Sequence, residues 1–340
     1  MVNRGCAGVN TVRAVLSVGG LLAAIGTGGC ALHHHTAGGF DEGDDGGGPT
    51  QGVLPTGGQV SDGGGGGTGP GTFGNDAQAS TEAGPSADCP SGNDLVFVAS
   101  EERRLYSFDP TTATFTLLGL ADCAAGMYVN SMAIDRAGYA WINYGDGSLW
   151  KSPTQSPTCM PTGYKANSAG VALFGMGFSA KTAGSTAETL YIDDLSGGGL
   201  GYIDLSSMSL LRFGPFTGDL VDRDCELTGT GDARLFGFFA GSPLGDGGSA
   251  SVTQIDPVSE GAMKQWMLPT VDTGSDWAFA FWGGSFYLFT ADKYDANDPY
   301  TTVTKLDPAT GSLTVLASNI GFRVVGAGVS TCAPVLAPNQ

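Results

Sequence analysis

The chain has 340 residues, and its 57 Gly and 14% charged residues depart far enough from an average globular composition to indicate two unlike parts. Its 33 acidic residues outnumber its 15 basic ones, so the formal net charge of -18 excludes nucleic acid as an expected partner, because phosphate would be repelled. An acidic surface is typical of a protein that stays soluble after export.

The first 29 residues have the pattern of a signal peptide: Arg4 and Arg13 are basic, and the apolar stretch AVLSVGGLLAAI is too short to span a bilayer permanently. The next residues, TGGC, resemble the lipobox of bacterial lipoproteins, with Thr27 where that family prefers Leu. The resemblance implies that the thiol of Cys30 receives diacylglycerol and anchors the protein. Ordinary cleavage nearby, with a fully secreted product, is the alternative.

Residues 30–88 contain Gly, Ser, Thr, Pro and acidic residues and almost no apolar ones, so they cannot bury enough surface to offset ordering entropy. We expect a disordered linker, which at ~5–6 Å times the square root of its length would reach about 40 Å. His33, His34 and His35 are the only histidines in the chain. Such a run could bind a transition metal, but without fixed geometry a spacer is the expected role.

From Asp94 onward the sequence has short β-rich runs separated by turn residues, which is typical of an all-β fold. A hairpin recurs whose first strand ends in Asp109, Asp204, Asp256 or Asp307, and these carboxylates are expected to hold the turns. A weaker copy has Ser152 in place of Asp. The five copies recur at the spacing of propeller blades, as in 105–118, 149–154, 201–213, 252–268 and 303–316.

Each hairpin follows an aromatic-rich strand, and a strand rich in Gly and Ala, expected to be innermost, comes before that. The last such strand, VVGAGVS, has no outer strands after it, and the first aromatic strand, DLVFVAS, has no inner strand before it. We therefore predict an all-β, five-bladed β-propeller over 89–335, with one blade closed by both chain ends, and a short tail at 336–340. Six short blades are the alternative count.

This layout resembles five-bladed propellers, and the segments WGGSFYLF and VVGAGVSTCAP look like those of uncharacterised lipoproteins from Gram-negative bacteria with large genomes. The resemblance covers about residues 89–335 and implies only the architecture and an address in the cell envelope. It implies no activity.

Five cysteines follow the linker, in a chain expected to reach an oxidising compartment. Cys89 and Cys332 flank the predicted closing blade, so we expect them to be bonded. Cys123 and Cys159 come from the loops that bound the second blade and are the second expected pair. Cys225 is left over and is expected to be a buried, inert thiol, because no histidine is present to activate it.

The absence of histidine after residue 35 excludes Ser-His-Asp and Cys-His catalysis and His-ligated metals in the predicted propeller. Carboxylates remain: Asp135, Asp224, Glu226 and Asp276 lie at the ends of inner strands, where a glycosidase would need a pair. Of these, Asp135, Glu226 and Asp276 are the catalytic candidates, although carboxylates at strand ends usually hold turns or face solvent.

One loop, DKYDANDPY, has enough oxygen ligands for calcium, in Asp292, Asp295, Asn297 and Asp298, but lacks the EF-hand spacing. A solvated acidic loop is the simpler interpretation, and no other cofactor is expected. The preferred functional hypothesis is a non-enzymatic binding or scaffolding module, anchored to the outer membrane or cell surface, that takes an unknown protein or glycan. The alternative is an extracellular glycan-cleaving enzyme.

Overall fold

Five antiparallel four-stranded sheets account for the strands of the described part of the chain, which is residues 89–241, 248–292, 294–297 and 299–337 of a computed structural model. The predicted signal peptide, Cys30, the histidine run and the linker lie outside these residues. The described residues belong to one compact unit, Asp76–Gln340.

The first blade combines both ends of the described chain, in the order β20 (Val324–Val329), β1 (Val96–Ser100), β2 (Arg104–Asp109) and β3 (Thr114–Leu120). The other blades follow chain order from the innermost strand outward. The second has β4 (Val129–Ile134), β5 (Tyr139–Tyr144), β6 (Leu149–Pro153) and β7 (Met160–Pro161); the third has β8 (Phe174–Ala180), β9 (Glu188–Asp194), β10 (Gly199–Asp204) and β11 (Ser209–Gly214). The fourth has β12 (Cys225–Gly229), β13 (Leu235–Phe239), β14 (Ala250–Asp256) and β15 (Gly261–Leu268); the fifth has β16 (Asp276–Trp282), β17 (Ser285–Ala291), β18 (Thr302–Leu306) and β19 (Leu313–Ala317). Two short 3₁₀ helices, Ser168–Gly170 and Gly218–Leu220, lie in connections.

The innermost strands form a closed ring, because β20, β4, β8, β12 and β16 each contact the next and β16 contacts β20 again. Each is one of the small-residue strands predicted from the sequence. The count of five blades and the closure of one blade by both chain ends, with Val96 opposite Val329, are confirmed, and the alternative of six blades is wrong.

Small residues are required where inner strands touch. A Cβ on Gly177 would lie 2.8 Å from the backbone of Leu227 in the next blade, and one on Gly175 would collide with the carbonyl oxygen of Cys225. Backbones at this spacing leave no room for larger side chains around the axis.

The repeated hairpins end as predicted. Asp109 and Asp204 each accept a hydrogen bond from the backbone amide two residues later, at 2.8 and 2.9 Å, and Asp256 and Asp307 do the same. These bonds stabilise the ionised form and lower the pKa of all four carboxyls. The aspartates are turn residues, as the sequence indicated.

The core lies between the blades rather than in one central mass. Aromatic residues of the second strands fill it: Phe236 and Phe238 from the fourth blade pack on Phe281, Phe279 and Phe286 of the fifth. These rings bury large apolar areas at each blade interface, which fixes the five sheets around the axis.

Both predicted disulfides are present. Cys89 is bonded to Cys332 across 243 residues, and Cys123 is bonded to Cys159 across 36. Cys225, the first residue of β12, is a free thiol with 0% exposure, and burial raises its pKa well above the ordinary value. The expected burial of Cys225 is confirmed, and a buried thiol with a raised pKa has little thiolate available for reaction.

Candidate functional site

The inner strands all run in the same direction, so the ring has two different ends. We call the end where these strands begin the near mouth and the end where they finish the far mouth. The near mouth holds a cavity of about 390 Å³. Its lining residues are Glu101, Tyr128, Val129, Asn130, Leu195, Glu226, Ser275, Asp276, Trp277 and Val325.

Glu226 lines this cavity although only 5% of its surface is exposed. The residue belongs to β12, and its Oε2 accepts a 2.6 Å hydrogen bond from Ser131 Oγ of β4, two blades away along the ring. Ser131 Oγ in turn accepts the backbone N–H of Met176 in the intervening blade, at 3.2 Å. Burial raises the pKa of Glu226 well above its usual value, so the side chain is favoured in its protonated form.

Asp276, at the start of β16, lines the same cavity in a different setting. The Ser275 hydroxyl donates to Asp276 Oδ2 at 2.7 Å, and Arg323 Nε lies 3.7 Å from that oxygen. The Arg323 guanidinium also forms an ion pair with Glu101. One arginine therefore links two of the three carboxylates of the cavity, which leaves the lining negatively charged.

Asp193, which the sequence analysis did not select, lies behind Glu226. It is a buried residue of β9 whose Oδ2 accepts the backbone N–H of Cys225 at 2.7 Å, while its Oδ1 has no hydrogen-bond partner. Burial, together with the nearby acids Asp224 and Asp194, raises its pKa well above the ordinary value, although the hydrogen bond from Cys225 acts in the opposite direction. The sequence carried little signal for it, because its strand, ETLYIDD, has several polar residues and nothing in the pattern marks this one as buried.

Asp135 lies at the other end of the ring from Glu226 and Asp276. It follows β4, and its carboxylate accepts the backbone N–H of Tyr139 at 2.9 Å and Nε1 of Trp141 at 2.8 Å, which fixes the turn into β5. The three catalytic candidates therefore do not converge. Glu226 and Asp276 share the cavity, whereas Asp135 is held by its own blade. Asp224 immediately precedes β12, on the near-mouth side.

The far mouth is crossed by the residues that follow β20, Ser330–Pro334, which we call the C-terminal strap. Its Thr331 donates to Glu188 Oε1 at 2.5 Å and accepts from Arg136 at 3.3 Å, so it touches the third and second blades. Burial raises the pKa of Glu188, a second acid that the sequence analysis missed. The strap also bonds the turn of the fifth blade, where Gly283 N–H donates to the Pro334 carbonyl at 2.7 Å.

In the loop considered for calcium, the aspartates accept hydrogen bonds from the backbone amides of their own turns. Asp292 accepts the amide of Tyr294 and Asp295 accepts the amide of Asn297, both at 2.9 Å, while Asp298 lies outside the described residues. Within the described ranges, no three His, Cys, Asp or Glu side chains form a group able to hold a metal ion. Calcium binding by this loop, the minor alternative of the sequence analysis, stays untested, as does metal binding by His33–His35, which lie outside the described residues.

Of the segments with described coordinates, none is a helix with the length and apolar character needed to cross a membrane. The two disulfides fit an oxidising, exported environment.

No family model matches the sequence, and no curated protein matches it. The chain is similar in structure to a protein of unknown function from Bacteroides caccae, at 10% identity, 68% coverage of this chain, 97% of that chain and a TM-score of 0.40. It is also similar to a protein described as the extracellular domain of a one-component system from B. thetaiotaomicron, at 13% sequence identity.

For that B. thetaiotaomicron domain the match covers 66% of this chain and 28% of the other, with a TM-score of 0.34. Hydrazine synthase from Kuenenia stuttgartiensis matches at 14% identity over 65% of this chain and 64% of that one, with a TM-score of 0.33. At identities and TM-scores this low, the assignment of a five-bladed propeller stands on the strand pairing of the chain itself.

Proposed function

We propose that the protein is a cell-envelope lipoprotein that displays a binding module and takes its ligand, a glycan or a segment of another protein, at the near mouth. The cavity carries this proposal: it has a volume typical of small-ligand sites, and it lies at the end of the ring that the strap leaves uncovered. The described chain begins at Cys89, which is bonded to the strap, so an N-terminal anchor would join the domain at the opposite end.

The negative charge of the cavity limits the chemical class of ligand that it can bind. Glu101 and Asp276 with one intervening arginine disfavour an anion, whereas hydroxyl or amide groups could donate to these carboxylates. Tyr128, which is 51% exposed, provides an aromatic surface at the rim for a sugar or an apolar side chain. An uncharged envelope glycan is therefore the first probe to use.

The anchor is tested separately from the cavity. In cells fed a labelled fatty acid, the wild-type protein should become labelled and a Cys30→Ser variant should not. Equal labelling of both would contradict lipidation at Cys30, and a soluble, unlabelled wild type would favour the secreted alternative.

Glycan cleavage is the second candidate, favoured by one contrast inside the cavity. Glu226 has a pKa raised by burial, as a proton donor requires, while Asp276 lies in a polar setting with its Oδ2 3.7 Å from Arg323 Nε. Release of new reducing ends from envelope glycans, abolished by Glu226→Gln and by Asp276→Asn, would support an enzyme. Binding without release of reducing ends would support the binding module.

A further inference from the structure

We propose that the C-terminal strap is a redox-sensitive latch: the Cys89–Cys332 disulfide holds it across the far mouth, and reduction of that bond releases it while the blades stay folded. The proposal does not depend on what the near mouth binds. It concerns the end of the ring that the proposed function leaves unused.

The strap spans the far mouth from blade to blade. Asn93, just before the first blade, donates to Ser330 Oγ at 3.0 Å and to the carbonyl of Arg136 at 2.9 Å. Thr331 reaches the second and third blades, and its carbonyl lies against Gly231 of the fourth, so closely that a Cβ there would collide with it. With the bond from Gly283 to Pro334, the strap contacts the second, third, fourth and fifth blades and Asn93 at the entry to the first.

Apart from the disulfide, the strap is held by single hydrogen bonds and by the burial of three small side chains, Ser330, Thr331 and Ala333, rather than by a sheet. The ladder between β20 and β1 ends at Val329, so the strap itself belongs to no sheet. Its hydrogen bonds are isolated contacts, each with a net contribution of about 1 kcal/mol. Beyond it Val335 is half-buried against the apolar cluster of the fourth and fifth blades, whereas Leu336 is exposed.

The blades are closed independently of this disulfide. Backbone pairing of β1 with β20, from Val96 opposite Val329 to Ser100 opposite Val324, joins the two chain ends within the first blade. Apolar residues of that blade, such as Phe108, pack on Tyr287 and Phe289 of the fifth. The ring therefore keeps its sheet and its interface when the bond outside the ladder is broken.

The chemical step is thiol–disulfide exchange with a dithiol, which supplies both electrons. One thiolate attacks a sulfur of the Cys89–Cys332 bond, giving a mixed disulfide and releasing one cysteine thiolate, which takes a proton. The second thiol of the reagent then displaces the other cysteine. The products are two cysteine thiols and the reagent as its own disulfide. Both cysteines are half-buried rather than enclosed, so the bond is within reach of a small reagent.

Trp282 is a built-in reporter of the latch. Its side chain is 8% exposed, its Nε1 donates to the carbonyl of Asp94 at 2.5 Å, and it packs in the same cluster as Ala333 of the strap. Release of the strap would expose the ring to water and shift its emission to longer wavelength.

The experiment uses the full chain with Cys123→Ser and Cys159→Ser, so that reduction acts on the latch alone, and adds dithiothreitol while fluorescence and far-ultraviolet circular dichroism are recorded. We expect a red shift and a several-fold rise in quenching by iodide, with an unchanged β-sheet signal, and loss of both changes when Trp282→Phe is added. The same titration of the wild-type chain guards against a variant that fails to fold.

Two results would overturn the proposal. Emission that does not change, although mass spectrometry after alkylation shows both thiols, would mean that the strap stays in place without its bond. Loss of the β-sheet signal together with the red shift would mean that the bond holds the whole ring rather than the strap.

Discussion

The near and far mouths are the two ends of the same ring of five inner strands, but the far mouth is covered and the near mouth is open. At the far mouth, a strap joined by a disulfide reaches the second, third, fourth and fifth blades and Asn93 at the entry to the first. At the near mouth a cavity remains open, and Glu226 in its lining accepts a single short hydrogen bond from Ser131 of the second blade. The symmetry of the blades therefore does not extend to the two ends of the ring, where single side chains and one chain terminus decide which end is open.

The largest effect should come from removing the covalent closure of the far mouth. The chain-entropy relation gives about 5 kcal/mol for a loop of the size closed by Cys89 and Cys332, and about 4 kcal/mol for that closed by Cys123 and Cys159. We expect Cys89→Ser with Cys332→Ser to lower the free energy of unfolding in denaturant more than the second double variant does. The reverse order would show that the far mouth is not the main point of closure.

The next largest effect is expected from adding a methyl group where backbones are in close contact, at the near mouth and at the far mouth. Gly175→Ala places a methyl group against β12, a strand fixed in its sheet, and should cost about 1–3 kcal/mol in thermal or denaturant unfolding. Gly231→Ala presses instead on Thr331 of the strap, which belongs to no sheet and can shift, so its cost should be smaller. Equal costs would show that the strap is as rigid as the ring.

Two glutamates provide a pH test of the same comparison: Glu226 at the near mouth, which is buried, and Glu188 at the far mouth, which is half-buried. Burial raises the folded-state pKa of Glu226 and of Glu188 above the ordinary 4.5, so the folded protein binds more protons than the unfolded chain. Each group contributes fully to the free energy of unfolding below its ordinary pKa of 4.5. This contribution is lost as the pH rises from the ordinary pKa to the folded-state pKa, by up to about 1.4 kcal/mol per pH unit for one proton.

Glu226→Gln should flatten this fall more than Glu188→Gln, because the pKa of Glu226 is raised further. Denaturant unfolding at a series of pH values measures it. A pH profile of Glu226→Gln that matches the wild type would place the titration elsewhere, with Asp193 the first alternative.

The sequence predicted the blades better than their ends. The Asp-ended hairpins, the small inner strands and both disulfides follow from local turn chemistry and from the order of strands, which a single sequence contains. Asp135, Glu226 and Asp276 were grouped because all lie at ends of inner strands. Asp135 follows its strand and the other two lie at the start of theirs, so strands that run in the same direction separate them.

Residues that act between blades were missed. Asp193 contacts Cys225 of the next blade, Glu188 contacts the strap, and Arg323 joins Glu101 to Asp276 of the fifth blade. No periodicity encodes which of these interfaces a side chain enters.

The smallest effect lies in the outer hairpins, away from both mouths. Glu260 has a positive φ of 53° at a position where the equivalent hairpin of the fifth blade has Gly311. Glu260→Gly should raise the free energy of unfolding by about 1 kcal/mol, because glycine adopts this conformation without strain, and Gly311→Ala should lower it by a similar amount. Neither change should alter the response to pH or to dithiothreitol.

Calorimetric titration with solubilised envelope glycans measures whether ligand binds at the near mouth. We expect Asp276→Asn to weaken the binding seen with the wild type at least tenfold, which is about 1.4 kcal/mol. Asp135→Asn, at the far mouth, is the matched control and should bind as the wild type does. Unchanged affinity in Asp276→Asn together with weakened binding in Asp135→Asn would contradict the account.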